Sequence, residues 1–280
     1  MADEKKPKKI ISAATGEEVT NKSAEKRAAA GSAAAAENAA AAEAGKKAPK
    51  QRASGFRLIA VLLWLLAIGA EVVAVLILNK TIYAKDITTG LIIALAADLI
   101  LVVLGSQLWK RANRIDPASE KNKLKFWLWN NMGVIVSAIA FVPIIILMLK
   151  DKDLDPQAKK IASIVGIAAL LIAGASSYTW NPVSQEALTE ATDQVTSVNE
   201  DGGVYWTRFG RKYHLDTDCS SLSRSETLFS GSIDEAFEAN RTDLCKFCAK
   251  AHGIDADSPS NAIDIPVAQV DPPADADAAA

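Results

Sequence analysis

Three cysteines and two histidines occur in the 280 residues, and all three cysteines with one histidine fall into two short pieces. The first reads RKYHLDTDCSSL over 211–222, and the second reads CKFC over 245–248. As a spacing, the pattern is His214-x4-Cys219-x25-Cys245-x2-Cys248. Two short pairs of thiolate and imidazole donors, separated by a longer connection, suit a tetrahedral Cys3His site for Zn2+. The two-residue gap in CKFC lets one turn deliver both sulfurs to a single ion. His252, four residues after Cys248, is the alternative fourth ligand. It ranks second because it borders the acidic tail. A redox reading of CKFC needs a βαβ setting, which the flanking sequence lacks. Three unrelated thiols fit poorly with a chain that holds no other cysteine.

Residues 203–252 must position these donors. VYWTRF and KYHL flank Arg208–Lys212, and Gly210 can take the turn, which predicts a β-hairpin. Ser232 with Glu235 forms a capping-box signature ahead of a short helix in SIDEAFEA, 232–239. A domain of about 50 residues buries little apolar surface, and a structural metal makes up the deficit. Tyr213-His214, Cys219 and Leu222 (Y-H-x4-C-x2-L), then an acidic short helix, then C-x2-C, resemble the Ada-like metal-binding modules appended to many bacterial proteins. The resemblance covers residues 203–252 only, and it implies a structural zinc module that binds a partner. In the DNA-repair Ada proteins the site is C-x3-C followed by C-x2-C, and the first cysteine accepts a methyl group. Here His214 stands at that first position, so methyl transfer is not carried over to this chain.

Upstream the composition changes. Four apolar stretches, 58–78, 88–108, 126–149 and 161–178, have the length and character of membrane-crossing helices. Trp109, Phe126, Trp127, Trp129, Tyr178 and Trp180 lie at their ends, where aromatic rings favour the headgroup level. Eleven basic residues flank one side, in the arm before span 1 and the loop between spans 2 and 3; six flank the other. The positive-inside rule therefore places both termini in the cytoplasm. Glu71 in span 1 and Asp98 in span 2 are expected at similar depth, as a proton- or cation-binding pair or as protonated glue between helices. Ala169, Ala173 and Ser177 form a small-residue stripe for close packing, and Asn130 and Asn131 are expected to hydrogen-bond at the cytoplasmic end of span 3.

The remaining segments are polar. Residues 1–55 read as a mostly disordered Ala/Lys-rich cytoplasmic arm with transient helix, 181–202 as a linker and 253–280 as an acidic disordered tail. The first 57 residues show no apolar h-region after a basic start, so no secretory signal is expected. The expected fold is an all-α transmembrane four-helix bundle, 56–180, with a small α+β zinc-binding C-terminal domain and disordered tails. It belongs in a bacterial-type inner or plasma membrane as a multi-pass protein, its partners the lipid bilayer and an unidentified protein. Seven basic and seven acidic residues within 203–252 cancel, so nucleic acid is not an expected partner. No nucleophile–base pair, phosphate loop or paired acid–base site stands out in the polar parts, so an enzyme is not expected. Two other classes stay open: a small proton or cation transporter with a metal-sensing tail, and a membrane-tethered nucleic-acid-binding protein.

Overall fold

The computed structural model describes residues 8–18, 35–82, 86–152, 154–199 and 202–254, with 35–48 as backbone only. The acidic tail from residue 255 onward lies outside the described residues. Four helices are long and apolar enough to cross a membrane: Pro49–Leu78, Ile87–Ile115, Met132–Lys150 and Pro156–Ser177. The first is the C-terminal part of α1 (Ala35–Leu78); the second is α2 (Ile87–Ile115). Asp86 caps α2, its carboxylate accepting from Thr88 N and Thr89 N.

The third apolar stretch is not one helix. It divides into α3 (Lys123–Asn130) and α4 (Met132–Lys150), with the break at Asn131. Asparagine side chains compete for backbone groups, and here they and Thr179 bond to the backbone around the break. Asn131 Nδ2 donates to Trp127 O at 3.0 Å, and its Oδ1 accepts from Thr179 N at 3.1 Å. Thr179 Oγ1 donates to Asn130 O at 2.7 Å. The fourth stretch is α5 (Pro156–Ser177), opened by Pro156 at its first position and by Asp155, which accepts from Gln157 N and Ala158 N.

The bundle core is apolar, built from Leu91, Leu95, Val102, Phe141, Ile144 and Met148. Ala169, Ala173 and Ser177 are buried, as the small-residue stripe requires. Where α2, α4 and α5 approach most closely, Gly133 faces Ser106 and Ser177. A Cβ there would lie 2.4 Å from Ser106 Oγ. Ser177 Oγ and Ser106 Oγ are 2.9 Å apart, and Ser106 Oγ donates to Val102 O at 2.7 Å, so the hydroxyls at this crossing are satisfied. The aromatic belt is only partly at the surface. Trp64, Trp109 and Trp129 stack in series with ring centroids 5.3 and 5.1 Å apart, and Trp109 is buried with its indole N–H on Trp129 O at 2.8 Å. Trp127 and Trp180 remain exposed.

Two polar segments carry more regular structure than expected. Within 181–202 stands α6 (Gln185–Val198), not a linker. Ser184 caps it through Ala187 N, and Ala187, Ala191 and Val195, spaced four apart, bury one face against the C-terminal domain. Within 1–55, read as mostly disordered with transient helix, α1 begins at Ala35, and the unexpected strand β1 (Lys9–Ser12) forms near the start. β1 joins a five-stranded sheet with β2 (Gly203–Trp206), β3 (Lys212–His214), β4 (Thr227–Ser232) and β5 (Asp243–Leu244), in the order β1-β4-β2-β3-β5. β1 runs parallel to β4 with Ile10 opposite Leu228, and β2 and β3 form the predicted antiparallel hairpin. At its turn Gly210 N donates to Thr207 Oγ1 at 2.9 Å, an approach that a side chain on Gly210 would obstruct. The capping box holds in both halves at Ser232 and Glu235, opening α7 (Ile233–Glu238). A last helix, α8 (Lys246–Ala251), closes the domain.

Candidate metal centre

β3 ends on His214, whose strand partner is Tyr205 on β2. The chain then turns, and Cys219 stands as the cap of a single 3-10 turn, Ser220–Leu222. Across the domain, Cys245 caps α8 in an extended conformation, and Cys248 follows one turn inside the helix. Spacing of three along a helix places both sulfurs on one side. Cys245 N donates to Tyr213 O at 2.9 Å, which ties the start of α8 to β3 and fixes the two halves against each other.

The four donors converge. One ligand atom from each of His214, Cys219, Cys245 and Cys248 lies within 4.8 Å of all the others, and all four residues are buried. Cys219 Sγ and Cys245 Sγ are 3.8 Å apart, and Cys248 Sγ is 3.8 Å from His214 Nδ1. A disulfide brings its sulfurs to about 2.05 Å, so these are free thiols gathered around a common point. The group is close enough to hold a metal ion. His252 is not part of it. Its Nε2 pairs with Asp216 Oδ2 at 2.8 Å instead.

The surroundings suit charged sulfur. Backbone N–H groups of Leu215 and Asp216 point at Cys248, and those of Cys248 and Phe247 at Cys245. Ser221 Oγ lies 3.1 Å from Cys245 Sγ and 3.5 Å from Cys219 Sγ, a second-sphere contact that the spacing pattern alone does not reveal. Burial pushes the Cys248 thiol up to about 12 in the absence of a cation. Burial also acts upward on Cys245, but the hydrogen bonds from Ser221, Cys248 N, Phe247 N and Cys219 outweigh it and hold that thiol below its ordinary value. A bound cation reverses the burial penalty on a thiolate. His214 is pushed down to about 4 by burial, with Lys212 and Lys8 adding to it. Its imidazole is therefore neutral at physiological pH and offers a lone pair.

The other expected site residues stand apart from this centre. Asp98 in α2 is buried, and neither carboxylate oxygen has a hydrogen-bond partner among the described residues. Glu71 in α1 is half-buried and close enough to act on Asp98 electrostatically. Asn130 and Asn131 both bond as expected, at the break between α3 and α4. No family model, curated protein or solved structure matches the chain.

Proposed function

We propose that the protein is a multi-pass membrane protein of bacterial type, with both termini cytoplasmic and a structural Zn2+ in its C-terminal domain. That domain docks a protein partner or regulates the bundle, and the protein is not an enzyme. The convergence of four buried donors carries the reading. A tetrahedral zinc with Zn–S bonds of about 2.3 Å separates its sulfurs by about 3.8 Å. Cys219 and Cys245 stand at that separation. Three thiolates and an imidazole are a soft donor set that favours zinc over hard cations such as magnesium. All four protein ligands are present, with no open position for a reactive water, which favours a structural over a catalytic ion.

That both ends lie on one side is supported by β1 and the C-terminal strands sharing one sheet; the choice of the cytoplasmic side rests on the positive-inside rule alone. The likeness to Ada-like modules remains a reading of Tyr213, His214, Cys219, Leu222, Cys245 and Cys248. The test is metal analysis of the full-length protein purified in detergent without added metal. One zinc per chain is expected, falling below half an equivalent in Cys245→Ser. A wild-type value already below half an equivalent would sink the assignment.

A second reading has its own observation. A buried carboxylate without partners in a membrane-crossing helix is a functional candidate by default. It points to proton or cation handling by Asp98 with Glu71. Flux through proteoliposomes, compared between wild type and the double variant Glu71→Gln, Asp98→Asn, decides it. Unchanged flux with an intact bundle ends the transporter reading.

A further inference from the structure

Five arginines converge where the bundle meets the C-terminal domain. Arg52 of α1 and Arg111 and Arg114 of α2 come from the bundle. Arg208, in the β2–β3 hairpin turn, and Arg241, just after α7, come from the domain. They line one cavity of 570 Å3 between the two parts.

Two carboxylates share that lining, Glu235 and Glu238. Glu235 is engaged in the capping box through Ser232 N at 2.9 Å. Glu238 pairs with Arg52 at 2.9 Å and with Arg111 at 3.4 Å. The lining therefore carries an excess of three positive charges. Arg114 and Arg208 have no ion-pair partner among the described residues.

The cavity is built, not incidental. Asn240 adopts a left-handed φ of 63°, and Arg241 N returns to Ala236 O at 2.8 Å, which turns Arg241 back toward the hairpin. The Arg241 guanidinium is clamped by the carbonyls of Ala239, Thr207 and Arg208, while its buried Nε has no acceptor among the described residues. Arg111 lies over the Phe56 ring, 4.9 Å from its centroid. Basic residues commonly flank membrane helices, which accounts for Arg52, Arg111 and Arg114. It does not account for Arg208 and Arg241, which belong to the folded domain and meet the other three across the gap. Arg114 and Arg208, without ion-pair partners among the described residues, together with Arg52 and Arg111 beside the single carboxylate of Glu238, offer paired N–H donors that match the oxygens of a phosphate group, and the clamped Arg241 adds its charge.

We propose that this basin binds a phosphate group, presented by an anionic phospholipid headgroup or by a small phosphorylated solute. The site is independent of the metal centre and seats its ligand between the bundle and the domain.

The test uses the full-length protein in detergent with three probes: phosphatidylglycerol, phosphatidylcholine and inorganic pyrophosphate. Native mass spectrometry reads lipid retention, and calorimetric titration reads pyrophosphate. Retention of phosphatidylglycerol over phosphatidylcholine identifies the lipid source, and pyrophosphate binding without lipid preference identifies the solute. In either case the double variant Arg111→Gln, Arg208→Gln weakens binding by about fivefold per arginine removed. Glu238→Gln, which releases Arg52 and Arg111 from their carboxylate, strengthens it. The two variants move in opposite directions, so a general loss of folding cannot imitate the result. Binding of neither anionic probe overturns the proposal, as does binding indifferent to both variants.

Discussion

Cys248 in the C-terminal domain and Asp98 in the bundle are both 1% exposed, and each is a group that water would normally solvate. Their settings differ in kind. Cys248 is met by two backbone N–H groups and by His214, Cys219 and Cys245, so its burial is answered by neighbours from both halves of the domain. Asp98 is met by nothing that hydrogen-bonds among the described residues. The domain gathers these donors around one point, where the proposed metal would bind. The bundle isolates a single acid within an apolar core that would pack without it. One burial is offset by neighbouring donors, and the other carries an uncompensated desolvation cost among the described residues.

The sharpest way to break the comparison is to remove the proposed metal. Structural zinc sites of this size supply about 10–16 kcal/mol of apparent binding free energy, which is folding free energy for a small domain. A strong chelator added to the full-length protein is expected to expose 203–254 to limited proteolysis while the helical signal of the bundle persists. A domain that resists protease after complete zinc removal would show that its apolar core suffices.

Asp98→Leu is expected to move stability the other way. Taking a carboxylate from the centre of a membrane helix relieves about 3 kcal/mol on insertion scales. Thermal unfolding in nanodiscs should register a more stable bundle. A lower melting temperature would mean that Asp98 has a partner, and the contrast with Cys248 would fail.

Gly133→Ala probes whether the bundle's polar crossing is as tightly filled as the metal centre. Its Cβ would fall 2.4 Å from Ser106 Oγ and 2.8 Å from Ser106 Cβ, so overpacking should destabilise by about 2 kcal/mol. A neutral result in the same unfolding assay would show that α2 and α4 can separate freely.

The smallest effect belongs to Ser232→Ala, which removes half of the capping box on α7. Loss of such a cap is worth about 1 kcal/mol. A shift in the protease-sensitivity midpoint of the domain, with zinc retained, is the expected signature; a domain that loses zinc as well would tie the cap to the metal centre.

The parts of the fold legible in the sequence are those whose signal is local or scarce. The apolar stretches announce themselves by length, and the donor group by the rarity of sulfur. The hairpin and the capping box each lie within a few adjacent residues. Where a feature depends on distant partners, the sequence is silent. KIIS at Lys9–Ser12 is four residues with no alternation, and its strand partner lies at the other end of the chain. In α6 the buried face is Ala187, Ala191 and Val195, small side chains diluted among Thr, Glu and Gln, so composition suggests a linker. The Asn130–Asn131 pair inside an apolar run was the one local sign that α3 and α4 are separate. Ser221 was hidden for a different reason. A hydroxyl next to a cysteine has no spacing signature, and only the folded turn places it against two sulfurs.

The pairing of β1 with β4 also sets an order of events. Lys9–Ser12 leave the ribosome before any membrane helix, yet their partners Thr227–Ser230 are made only after the whole bundle has been synthesised. An early strand thus waits for its partner until all four apolar helices have been made. A chain that stops short, or inserts with an odd number of crossings, leaves that strand unpaired at the surface. The pairing is in effect a check that the chain has been made past the four helices with its two ends on one side, written in four backbone pairs.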